Sequence, residues 1–175
     1  MSETPIGPAR RRQFLSLLAA VVTSAALAAC GSKPKPEAAP KDEPKEKPVP
    51  ELRVEVIAAP DANRDPSGRA LPIVVRLYEL KGEGAFAGAD FFSLYDRAPA
   101  TLGGDLIARE EVTLVPGQRR LVVHPLNPAA SHLGVVAAFR DIDRAGWRAL
   151  VALTPDQTNT VQVEVRAAAV SAQLR

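Results

Sequence analysis

The chain has 175 residues, enough for one ordinary domain and some accessory segments. Its formal net charge of +2 sits in the first 29 residues, where Arg10, Arg11 and Arg12 outweigh Glu3. The remaining 19 basic and 19 acidic residues cancel, so composition gives no support to a basic, nucleic-acid-binding face. One cysteine, Cys30, excludes an internal disulfide framework.

Residues 1–29 read as a secretory signal. A basic head is followed by an apolar stretch from Phe14 to Ala28, interrupted by Ser16, Thr23 and Ser24, and then by small residues. The stretch is about fifteen residues long, short of the roughly twenty that a membrane-spanning helix needs. Leu27-Ala28-Ala29-Cys30 resembles the bacterial lipobox, in which the thiol takes a diacylglyceryl group before cleavage. Cys30 is therefore the expected lipid attachment site, carrying diacylglyceryl and N-acyl lipid and no other cofactor. Arg11-Arg12-Gln13-Phe14-Leu15 also resembles a twin-arginine signal, so the basic run is either that or a plain charged head. Gly31 and Ser32 follow the cysteine without an Asp, which by the usual sorting rule points to the outer membrane, facing the periplasm. At about 0.8 kcal/mol per buried methylene, two or three acyl chains anchor firmly.

Residues 30–50 form the expected tether. From Gly31 to Pro50 the chain carries six prolines, five lysines and four acids, with Val49 as its one large apolar residue. Such a segment builds no core. As polyproline II, at about 3.1 Å per residue, it reaches roughly 60 Å.

Residues 51–175 change to short β-like runs between turn residues. Leu52, Val54, Val56 and Ala58 alternate with Arg53 and Glu55, the period of a half-buried strand. The segment 60–69 is a polar loop rich in Asp, Asn, Pro and Gly. Further strands are predicted at 73–78, 106–115, 119–124, 133–139, 147–153 and 160–165. The run 133–139 is almost wholly apolar and so central, covered on both faces. Within the 81–104 connection, Asp90 caps a short helix over about 88–96, with Phe91, Leu94 and Tyr95 on one face. The fold class is all-β with a small helical insertion, a two-layer antiparallel β-sandwich.

Candidate chemistry is sparse. His124 and His132 are the two imidazoles, and no nucleophile-elbow sequence accompanies them. Asp141-Ile142-Asp143 is followed by Arg144 where a calcium loop supplies oxygen, so a hairpin turn is predicted there. No metal-ligand spacing and no Gly-rich phosphate loop is present. The chain reads as a non-enzyme. The alternative is a lipid-anchored module binding a small molecule or glycan in a pocket lined by Phe86, Phe92 and Tyr95. A hydrolase would require a serine and a carboxylate beside His124 or His132.

Several blocks resemble one family. Asn63, Asp65, Gly68 and Arg69 precede Pro72-Ile73-Val74-Val75-Arg76-Leu77-Tyr78-Glu79-Leu80. Ala89-Asp90-Phe91-Phe92-Ser93-Leu94-Tyr95, Leu102-Gly103 and Pro116-Gly117 follow, and Leu133 to Ile142 with Trp147-Arg148 completes the set. In this order, behind a lipobox, they resemble the type VI secretion outer-membrane lipoproteins, the TssJ family. The resemblance implies a transthyretin-like sandwich that anchors the secretion membrane complex to the outer membrane. The implied partner is the periplasmic domain of the large inner-membrane subunit (TssM, IcmF-like), with neither nucleic acid nor small-molecule substrate. The implied contact is the loop after the first strand, here Asn63, Arg64, Asp65, Ser67, Gly68 and Arg69.

Overall fold

The structure, a computed structural model, describes residues 48–175. The signal segment, Cys30 and most of the tether lie outside the described residues. Eight strands form two four-stranded sheets. β1 (Glu51–Ala58), β4 (Arg119–Pro125), β7 (Asn159–Val165) and β8 (Val170–Leu174) make one sheet, in the order β4-β1-β7-β8. β2 (Ile73–Leu80), β3 (Leu106–Leu114), β5 (His132–Ala137) and β6 (Arg148–Ala152) make the other, in the order β3-β2-β5-β6. All pairings are antiparallel except β1 with β7, which run parallel from Leu52↔Asn159 to Ala58↔Val165.

Strand alternation sets the core. Leu52, Val54, Val56 and Ala58 of β1 face Ile73, Val75 and Leu77 of β2 and Leu133, Val135 and Ala137 of β5 in the inter-sheet layer. The opposite faces of β2 and β5 are also covered. Tyr78, Leu80 and Val136 pack in a second cluster with Phe86, Leu94, Ala98 and Leu102 of the helical insertion. This double covering explains the continuous apolar run of β5.

The insertion is longer than the predicted 88–96 helix and has two parts. α1 spans Gly84–Gly88 and α2 spans Phe91–Leu102, followed by a 3₁₀ turn at Gly103–Asp105. Asp90 caps α2 as predicted: its Oδ1 accepts from the Ser93 N–H at 2.9 Å and its Oδ2 from the Ser93 hydroxyl at 2.6 Å. Ala98 and Leu102 continue the apolar face past a kink at Arg97. Pro99 has no N–H to give the Tyr95 carbonyl, and the Arg76 guanidinium of β2 bonds that carbonyl instead. Tyr78 donates to the Leu94 carbonyl at 2.9 Å and Thr101 to the Ser93 carbonyl at 2.9 Å. Side chains thus bond three successive carbonyls at the kink.

α1 lies against β5 because residue 134 is glycine. A Cβ there would sit 2.7 Å from the Phe86 ring. Arg148 of β6 completes the seam, donating to the Phe86 and Ala89 carbonyls at 3.0 Å each.

Candidate partner-binding surface

Three connections meet at the end of the sandwich where β1 finishes. The β1–β2 loop is pinned to the β7–β8 turn by the Asn63 and Arg64 N–H groups, which donate to the Arg166 and Ala167 carbonyls at 3.1 Å each. Asn63 is buried with a positive φ of 52°, a region its short amide side chain tolerates. Its Nδ2 donates to the Pro72 carbonyl at 2.8 Å and its Oδ1 accepts from the Arg140 N–H at 2.8 Å. Asn63 therefore ties the β1–β2 loop to the β5–β6 connection, its side-chain amide engaged within the fold.

The predicted loop residues thus divide into structural and free groups. Asp65 organises the tip: its Oδ1 accepts from the Ser67 N–H, the Ser67 hydroxyl and the Arg69 N–H at 2.9, 2.6 and 2.9 Å. Gly68, at φ +82°, closes the turn with its N–H on the Asp65 carbonyl at 2.8 Å. The Ser67 hydroxyl first, then the Arg69 N–H, hold the Asp65 carboxyl below its ordinary pKa. Arg69 pairs with the same carboxylate at 3.2 Å, so part of its charge is satisfied within the loop. Arg64 is exposed and makes no ion pair among the described residues.

The sequence reading missed the other half of this surface. Arg140 and Arg144, from the β5–β6 connection, join Arg64, Asp65, Pro66 and Asp141 around a depression of about 380 Å³. Residues 141–145 turn back as predicted, the Arg144 and Ala145 N–H groups both donating to the Asp141 carbonyl at 3.3 and 3.1 Å. Asp141 also pairs with Arg144 at 3.5 Å. The usable signal was Arg140 and Arg144 flanking a predicted turn, but nothing local placed that turn beside residue 64. The arrangement suits reversible, directional pairing with carboxylates better than covalent chemistry.

The other candidate sites resolve differently. Phe86 is fully buried, Tyr95 stacks on Phe91 at 5.1 Å beneath the Arg76 guanidinium, and Phe92 stands exposed. These three aromatics do not line a common cavity. Ser131, His132 and Glu83 do come together. However, the Ser131 hydroxyl donates to the Lys81 carbonyl at 2.6 Å, so its proton is not offered to His132 Nδ1, 2.8 Å away. Glu83 is exposed and 3.6 Å from His132 Nε2, beyond hydrogen-bond reach. A narrower cleft of about 210 Å³ opens between the β3 and β4 edges, lined by Leu52, Leu77 and Leu133 with Glu79 and His124. Glu79 occupies the core-facing phase of β2, and its Oε1 lies 3.2 Å from His124 Nε2.

The model of the family described as type VI secretion lipoprotein, VasD, EvfM, TssJ, matches residues 50–168. The type VI secretion lipoprotein TssJ1 of Pseudomonas aeruginosa is 39% identical, with a TM-score of 0.70 over 73% of this chain and 98% of that one. Serratia marcescens Lip, a membrane-bound component of the type VI secretion system, shares the fold at 22% identity and a TM-score of 0.64, over 70% of this chain and 96% of that one. A chain in a structure of the TssM C-terminal domain from EAEC is 30% identical, with a TM-score of 0.56 over 73% of this chain and 98% of that one. No significant match was found among curated proteins. With the transthyretin-like sandwich and its helical insertion in place, the chain belongs to the type VI secretion lipoprotein family.

Proposed function

We propose that this lipoprotein anchors the type VI secretion membrane complex to the outer membrane by binding the periplasmic domain of a TssM-type inner-membrane subunit. The lipid is carried on Cys30, and the contact is the three-connection end of the sandwich. The observation that carries this reading is the pre-ordered β1–β2 loop. Asn63 and Asp65 spend their polar groups on internal bonds, and that leaves Arg64 presented beside Arg140 on a rigid support. A loop already ordered loses little conformational freedom on binding, and its arginines steer an acidic partner surface into register. The match to a chain in the TssM C-terminal domain structure agrees with such a partner. The role in this reading is structural, and among the described residues the Ser131 hydroxyl beside His132 is committed to the Lys81 carbonyl.

Calorimetric titration of residues 31–175 with the partner's periplasmic domain tests the proposal. Arg64→Glu combined with Arg140→Glu should weaken binding about tenfold or more, equivalent to roughly 1.4 kcal/mol. Undiminished binding would move the contact to another surface. Absence of binding by the unaltered chain, with both domains folded, would remove the anchoring role.

A further inference from the structure

The four outer edges of the two sheets are not alike. β6 and β8 pack against one another, which covers two edges. β3 carries Arg109, Glu110 and Glu111, all exposed, through its middle, the charged pattern that discourages strand pairing. β4 differs: its centre reads Leu121-Val122-Val123, with Leu121 62% and Val123 44% exposed.

Hydrogen-bond phase shows which backbone groups this edge offers. The Ala58 N–H donates to the Gln118 carbonyl and the Leu126 N–H to the Pro50 carbonyl, at 2.9 and 2.8 Å. With the β1–β4 register of Val54↔Val122, the even-numbered residues of β4 therefore bond to β1. Arg119, Leu121 and Val123 turn both N–H and C=O to the free side, and Pro125 turns its C=O there. Leu121 and Val123 also carry the exposed apolar side chains. One strand thus supplies unpaired backbone bonds and an uncovered apolar stripe in the same phase.

We propose that β4 is a self-association edge, pairing antiparallel with β4 of a second copy of this chain about a two-fold axis through Val122. Centred there, Leu121 opposes Val123 of the second copy as a hydrogen-bonded pair, and the symmetry repeats the pair. The Arg119 N–H meets the carbonyl of the second copy's Pro125, which also lies 3.1 Å from His124 Nδ1. Pro125 has no N–H to return, so the ladder ends there with the Arg119 carbonyl left to water. Leu121 and Val123 from both copies then form one apolar patch on the outer face. Charge fits as well: Arg120 is brought opposite His124 of the second copy, beside Glu79 and Glu110 at the mouth of the cleft. The second copy is favoured over an unrelated strand because the central Leu121–Val123 backbone pairs, the apolar stripe and the charges of Arg120 and Glu110 become complementary under one two-fold operation.

Site-specific disulfide trapping in the full chain, expressed in cells, reads the register directly. Two differently tagged copies are co-expressed, one carrying Leu121→Cys and the other Val123→Cys. Both positions are exposed, so neither substitution opens the core. The opposed residues fall at a Cα separation of about 5.5 Å, within disulfide range, whereas identical positions lie beyond about 7 Å. The mixed pair should yield covalent heterodimer in at least about tenfold excess over either variant with itself, and Leu121→Lys in a Val123→Cys partner test should abolish it. A Gln162→Cys pair on β7, well inside the sheet, should give none. No heterodimer from folded protein would overturn the proposal. So would equal trapping at all positions, or trapping of a different protein in place of the second copy.

Discussion

Gly134 and Phe86 are one structural unit made of two residues. The ring occupies the space a Cβ at 134 would need, 2.7 Å away, and its neighbours are the buried Tyr78 and the backbone of β5. Gly134→Ala is therefore expected to cost about 1–3 kcal/mol as overpacking. Chemical denaturation of the variant and of Gly134→Ala with Phe86→Leu checks this, since the smaller side chain should recover part of the loss. Glu79 makes a different prediction. Burial, the largest cause, raises its carboxyl pKa above the ordinary 4.5, while His124 and the Asn127 N–H oppose the rise. The folded chain thus holds this proton more tightly than the unfolded chain. The associated stability is fully present below 4.5 and is lost as pH rises through the folded value. Relative to Glu79→Gln, the unaltered protein should lose stability as pH climbs above the ordinary 4.5 and through the raised value. Urea titrations across that range would show a difference of the opposite slope if the argument is wrong.

α2 persists through a proline because β2 supplies what the proline removes. The Arg76 guanidinium bonds the Tyr95 carbonyl, lies 3.7 Å from the Tyr95 ring centroid and pairs with Glu111 at 2.7 Å. Arg76→Leu should leave that carbonyl without its donor and cost about 1–3 kcal/mol. Arg76→Lys should rescue it only partly, since an ammonium lacks the planar fork that bonds and stacks together. Hydrogen exchange across residues 91–102 would localise the effect to the helix. This element also shows where sequence reading stops. The Asp90 cap and the Phe91–Leu94–Tyr95 face were legible from local spacing alone. The second turn was not, because its support comes from a strand two elements earlier. β8 was missed because Val170 is its one buried apolar residue, leaving no period to detect. Seven strands declared themselves by alternation or by an apolar run. The parallel β1–β7 pairing joins residues more than a hundred positions apart and leaves no local trace. The same holds for the candidate surface: the loop was readable as a loop, but its neighbour Arg140 is brought in by topology.

At the scale of the whole molecule, the proposed anchor at Cys30 and the proposed contact beside Arg64 are separate devices. Cys30→Ser should release the chain from membranes while leaving the sandwich and its partner affinity unchanged, because the sandwich core is built from residues 52–170. Fractionation and circular dichroism together check this, and a Cys30→Ser chain that stays membrane-bound would refute the lipid assignment.

β1 lies between β4 and β7, joined to each along its length, from Glu51↔Pro125 to Ile57↔Arg119 on one side and from Leu52↔Asn159 to Ala58↔Val165 on the other. The chain from the proposed anchor runs directly into the start of this strand, and the proposed contact lies past its finish. A pull between anchor and partner therefore runs along β1, beside an antiparallel ladder to β4 whose hydrogen bonds lie perpendicular to it and a parallel ladder to β7 whose bonds are slanted. Such a load is shared by both ladders at once, as in shear, and does not peel bonds one by one from a free edge. The central place of β1 thus suits a load applied between the proposed anchor and the proposed contact.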